Sequence, residues 1–167
     1  MATKPPKPPR SSFTMKVKDL MTAQPVTCSP ETNLAAAAAL MLDADCGILP
    51  VTENGKLVGV VTDRDMHIAL ATRNRLASEV TVGDVARRHV FTCGPDDDIA
   101  TALATMKAHH VRRLPVEGFG QTVIGIVSMN DILLAVTPTG DVGAVEVVDV
   151  LQTICAHHQP RPHVTAA

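Results

Sequence analysis

Leu49-Pro50-Val51 is followed by Gly59-Val60-Val61-Thr62-Asp63-Arg64-Asp65, and Leu114-Pro115-Val116 by Gly125-Ile126-Val127-Ser128-Met129-Asn130-Asp131. The second set repeats the first. Outward from it, residues 17–51 align with 82–116 at an offset of 65: Val17 with Val82, Asp19 with Asp84, Thr27-Cys28 with Thr92-Cys93, Pro30 with Pro95 and Met41 with Met106. Ala35, Ala37 and Ala39 meet Ala100, Ala102 and Ala104. One residue inserted in the 117–123 loop moves the last motif to an offset of 66. Twelve identities in 35 positions, where about three arise by chance in an Ala-rich chain, mark a duplication inside one chain.

Each copy has the same local pattern. A short β-type segment ends at Pro30 or Pro95, and a helix follows with Asn33 or Asp98 as its N-cap. The apolar stripe is Leu34, Ala38, Met41 in the first helix and Ile99, Leu103, Met106 in the second. Two strands joined by a turn come next, and a second helix begins near Asp63 or Asn130. The expected unit is β-α-β-β-α. At about 55 residues it is too small to bury much surface alone. The fold class is therefore α/β (α+β): tandem repeats packed sheet against sheet about a pseudo-twofold axis. The boundaries are 1–14 for a Pro-rich disordered arm, 15–71 for the first repeat and 72–80 for a linker. Residues 81–136 form the second repeat, and 137–167 a final helix near 141–156 with a frayed tail.

The V-x-D opening, the x-T near the first strand, the h-P-V and the G-h-h-[ST]-x-x-D turn resemble the CBS repeat. Two in tandem resemble a CBS pair, or Bateman module, of the stand-alone bacterial kind, over about residues 15–136. The resemblance implies a cleft between the repeats that takes AMP, ATP, NAD(H) or S-adenosylmethionine. It also implies a homodimer and an unidentified regulated protein partner.

Composition narrows the classes. The chain has 167 residues, net charge −2 and no Trp or Tyr, so its core rests on Val, Leu, Ile, Met and Ala. The absence of a basic excess argues against nucleic acid. No apolar run approaches the ~20 residues a membrane span needs. Cys28, Cys46, Cys93 and Cys155 form no CxxC pair, which suits reduced thiols in the cytoplasm.

The site residues follow from motif and resemblance together. At Thr62-x-x-Asp65 and Ser128-x-x-Asp131 a strand ends and a helix begins, presenting free N–H groups to an anion. The same spacing is also a helix-capping arrangement. By resemblance Asp65 and Asp131 hold ribose hydroxyls, Thr62 and Ser128 contact ribose or phosphate, and Thr27 and Thr92 serve the adenine side. Arg112 and Arg113 precede a cleft-lining strand and offer forked phosphate recognition, helped by Arg64; the alternative is a solvated surface pair. Alternation along a strand brings only one of the two to the ligand. One arginine suits AMP first, with NAD or ATP as alternatives. Ile48 and Val111 are apolar walls, or simply core. No aromatic is expected in the cleft.

No spacing matches a structural zinc site, including His109-His110 and the Cys155 to His158 cluster. No nucleophile–base motif stands out. The reading is a sensor module without catalysis and without an obligatory cofactor. Its rival is a ligand-free CBS dimer that serves as a protein-interaction scaffold.

Overall fold

The computed structural model describes residues 15–137 and 143–156; the N-terminal arm and the tail lie outside them. The helices are α1 (Val17–Leu20), α2 (Leu34–Asp43), α3 (Asp63–Arg73), α4 (Ile99–His109), α5 (Met129–Leu134) and α6 (Ala144–Cys155). The strands are β1 (Thr22–Ala23), β2 (Ile48–Glu53), β3 (Lys56–Thr62), β4 (Arg113–Glu117) and β5 (Val123–Ser128). The two sheets are antiparallel, one in the order β1-β5-β4 and the other β2-β3. Asn54 and Gly55, both at positive φ, turn the β2–β3 hairpin.

The duplication is visible bond by bond. Cys28 N–H donates to Pro50 O and Thr52 N–H to Cys28 O; Cys93 N–H and Glu117 N–H do the same with Pro115 O and Cys93 O. A register shift follows Val51 in one hairpin and Val116 in the other. Two expectations are corrected here. The β-type segments ending at Pro30 and Pro95 pair only as single bridges, Cys28 with Val51 and Cys93 with Val116. The first helix buries Leu34, Ala37 and Met41, whereas Ala38 is exposed.

The repeats exchange their opening segments, which self-similarity did not reveal. Val17 lies in the core of the second repeat with Ile99, Leu103, Met106, Leu114 and Ile132. Val80 and Val82 lie in the core of the first with Leu34, Met41, Leu49 and Val61. Matched bonds fix the exchange: Val17 N–H donates to Asp97 O and Lys18 N–H to Pro95 O, as Val82 N–H does to Thr32 O and Gly83 N–H to Pro30 O. Each exchanged segment then crosses the other repeat's inner strand, Thr22 opposite Ile126 and Arg87 opposite Val60. The crossings need Gly125 and Gly59. A Cβ on Gly59 would stand 3.1 Å from Arg87 O, and one on Gly125 would press on Met21 Sδ and sit 3.2 Å from Thr22 O.

The final helix forms over Ala144–Cys155 and lays Val147 and Val150 into the second core. Neither core is a unit without the other repeat's first turn.

Candidate nucleotide groove

A groove of about 510 Å³ opens between the repeats, within the size range of small-ligand sites. Gly47, Ile48, Val60, Thr62, Asp63 and Arg64 form the first-repeat wall. The exchanged segment adds Arg87, His89, Val90 and Phe91. His109, His110, Val111, Arg112, Arg113 and Pro115 form the opposite wall, closed by Ile154 of α6.

Local folding explains these positions. β3 ends at Thr62, whose hydroxyl accepts from Asp65 N–H (3.2 Å) and donates to Asp65 Oδ2 (2.6 Å), so α3 starts at the groove edge. The Asp63 carboxylate fills the space beside Gly47, where a Cβ would stand 3.0 Å from Oδ2. Arg87 reaches Asp65 Oδ1 with Nη2 (2.7 Å) and Nε (3.1 Å). The Asp65 side chain is 10% exposed. Burial pushes its carboxyl up, but the bonds from Arg87 and Thr62 outweigh that and hold it below the usual carboxylate range.

The other sequence-selected residues divide between groove and cap. Ile48, Thr62, Arg64, Val111, Arg112 and Arg113 border the groove; Thr27, Asp65, Thr92, Ser128 and Asp131 are not part of its lining. Asp131 Oδ2 accepts from Ser128 N–H (2.8 Å) and Ser128 Oγ (2.7 Å), a closed capping box. Thr92 Oγ1 donates to Glu117 Oε2 at 3.2 Å. Asn33 caps α2 by accepting from Ala36 N–H, whereas Asp98 makes no such cap and instead takes Lys16 Nζ at 2.6 Å.

Two expectations about the cleft are corrected. Both Arg112 and Arg113 border it, because Arg112 precedes β4 and is free of strand alternation; Arg112 Nη2 lies 3.7 Å from Cys155 Sγ. An aromatic is also present. Phe91 stacks on His109 (centroids 3.6 Å apart, rings 9° from parallel) and meets His89 edge-on at 4.8 Å. The residues missed by sequence reasoning are Arg87, His89 and Phe91. Their signal was the run Arg87-Arg88-His89, where the first repeat has Thr22-Ala23-Gln24.

Cys28 and Cys93 are free and buried, and burial drives their thiols up to about 11 and about 12. Among the described residues no three His, Cys, Asp or Glu gather as a metal site; His157 and His158 lie outside them. No described helix is long and apolar enough to cross a membrane.

The family model described as "CBS domain" matches residues 17–72 and 82–138. The chain is 34% identical over 116 residues to CBS domain-containing protein YhcV of Bacillus subtilis, covering 70% of this chain and 81% of that one. It is 35% identical over 117 residues to Hypoxic response protein 1 of Mycobacterium tuberculosis, covering 69% and 80%. Among solved structures it is similar to the CBS domain pair of protein MJ0100 in complex with 5′-methylthioadenosine and S-adenosyl-L-methionine. That match has a TM-score of 0.67 and 27% identity, covering 73% of this chain and 95% of that one. It is also similar to Hypoxic Response Protein I with two coordinated zinc ions (TM-score 0.67, 29% identity, covering 74% and 100%).

Proposed function

The chain belongs to the CBS domain family as a tandem pair, and from that premise we propose that it is a regulatory module, not an enzyme, that binds an adenine nucleotide between its repeats. The observation that carries the reading is the groove itself. It is ligand-sized, apolar at Ile48, Val60 and Pro115, cationic at Arg64, Arg112 and Arg113, and bordered by the strand-to-helix turn of Thr62. The MJ0100 pair, solved with 5′-methylthioadenosine and S-adenosyl-L-methionine, supports an adenosine-type ligand.

The roles join the groove's lining to the family resemblance. The base lies against Ile48, Val60 and Val111, with Phe91 at the end of that wall. Asp65 accepts from the ribose hydroxyls once Arg87 swings aside or shares it, and Thr62 supports the sugar. Arg112 and Arg113 take phosphate. By the resemblance alone Thr27 and Thr92, which do not border the groove, serve the adenine side, and Ser128 with Asp131 forms the pseudo-symmetric counterpart. A ligand that touches both walls favours one angle between the repeats. It signals only to the extent that its affinity differs between the two arrangements.

Titration calorimetry with AMP, ADP, ATP, NAD(H) and S-adenosylmethionine at millimolar ligand tests the reading. Heat is expected with at least one of them; no heat with any refutes it.

A second reading is a homodimeric scaffold. It is favoured by apolar side chains left in water on α5 and α6: Leu134 is 86% exposed and Val145 84%, with Leu133 and Val148 about half exposed. A melting temperature unchanged by the nucleotide panel, together with a dimer by light scattering, would select it.

A further inference from the structure

The groove carries a charge that the whole chain does not. The chain is net −2, yet four arginines border the groove against one carboxylate, Asp63. Arg64 and Arg87 stand on one side, Arg112 and Arg113 on the other. Asp65 neutralises Arg87. Among the described residues the guanidinium groups of Arg64 and Arg113 have no hydrogen-bond or ion-pair partner, and that of Arg112 contacts only the Cys155 sulfur. Like charges gathered without acidic partners repel one another and draw in anions.

The number and spread of these cations bear on the ligand. A guanidinium fork matches one phosphate by two parallel bonds. A single phosphate is satisfied by the Arg112–Arg113 wall and leaves Arg64 without a counter-charge. Methylthioadenosine brings no charge to either wall, and the sulfonium of S-adenosylmethionine brings the wrong sign.

We propose that the groove selects adenine nucleotides with two or more phosphates, ADP or ATP, over AMP and over uncharged or cationic adenosine derivatives. This rests on the nucleotide reading of the groove. The terminal phosphate spans from the Arg112–Arg113 wall toward Arg64, so the longer chain ties both repeats together. Arg64 thereby determines specificity, while the Arg112–Arg113 wall serves every nucleotide and the apolar wall and Asp65 serve every adenosine ligand alike.

The test is calorimetry on the full chain at about 0.15 M salt with ATP, ADP, AMP, methylthioadenosine, S-adenosylmethionine and inorganic tripolyphosphate. ATP is expected to bind at least tenfold tighter than AMP, with the uncharged and cationic ligands weaker than AMP. Raising the salt weakens ATP more than AMP. In the variant Arg64→Ala, ATP falls to within about threefold of AMP while AMP itself, held by the Arg112–Arg113 wall, moves less than about threefold. The Arg64 side chain is exposed, so the fold is expected to survive, and Arg64→Lys serves as a milder variant with an intermediate preference. AMP bound as tightly as ATP, or S-adenosylmethionine bound tightest, overturns the selectivity and leaves the nucleotide reading standing. Tripolyphosphate bound as tightly as ATP, or no heat with any nucleoside, overturns both.

Discussion

In the first repeat the strand-to-helix turn carries Asp65 paired with Arg87; in the second, the Asp131 carboxylate bonds only Ser128 among the described residues. The difference traces to one exchanged position. Arg87 crosses β3 opposite Val60, and its counterpart Thr22 crosses β5 opposite Ile126. Thr22 is too short and uncharged to reach a carboxylate as arginine does. Gly47 and Ile48 likewise face Arg112 and Arg113 across the offset, and exposed Asp63 becomes buried Met129. The backbone bonds were kept through the duplication, whereas the side chains at the groove were not. Chemistry can therefore diverge at strand ends where the side chains, such as Arg64, Arg112 and Arg113, are exposed and contribute little to packing.

The largest expected effect attacks what the repeats share. Leu49→Ala and Leu114→Ala each empty a fully buried site and cost about 2–5 kcal/mol, read by urea denaturation. Because each core holds the other repeat's opening turn, both variants unfold in one transition. Two separate transitions would show that the exchange does not couple the halves.

Next come variants that sharpen the difference at the ligand. Asp65→Ala removes charge-assisted bonds worth about 1.5–3 kcal/mol, so nucleotide affinity is expected to fall roughly 10- to 150-fold by calorimetry. Asp131→Ala changes affinity at this groove by less than about threefold. Equal losses would mean that both pseudo-symmetric sites fill.

Arg87→Ala is smaller, about 1 kcal/mol in stability at neutral pH. The Asp65 carboxyl is held below its ordinary value. The contribution is therefore full above about pH 4 and is lost as the pH falls through the lowered value. Wild type and Arg87→Ala should differ above about pH 4 and converge as the pH falls below it, as followed by urea midpoints. The same variant frees Asp65 and is expected to leave nucleotide binding intact or tighter.

The smallest effects concern thiols and surface pairs. Cys155 is exposed, whereas Cys28 and Cys93 are buried with raised thiol values, so a maleimide at pH 7 labels Cys155 first and spares the two buried thiols. Lys18→Ala breaks an exposed pair with Asp96 and is expected to leave the melting temperature unchanged.

Much of the fold was legible because it is local and duplicated. Asn33 capping α2, the Asn54-Gly55 turn and the two helices that follow Thr62 and Ser128 are set by residues within four positions of one another. The exchange of opening segments was not legible. An offset of 65 pairs Val17 with Val82 but says nothing about which core receives either. The sequence does not separate Ala37 from Ala38, because an all-alanine face gives the helix period little contrast. At the site, Arg112, Arg113 and Thr62 could be read from their motifs. Arg87 and Phe91 could not, since they reach the groove only through the exchange.

The most direct test of the central claim, that the groove between the repeats is the nucleotide site, is an amide chemical-shift titration of the full chain with ATP. Perturbations are expected at Gly47, Arg64, Phe91 and Val111 through Arg113, together with Asp65. Shifts confined to the counterpart residues Ala44 to Cys46 and Asn130, or no saturable shifts at millimolar ATP, would contradict it.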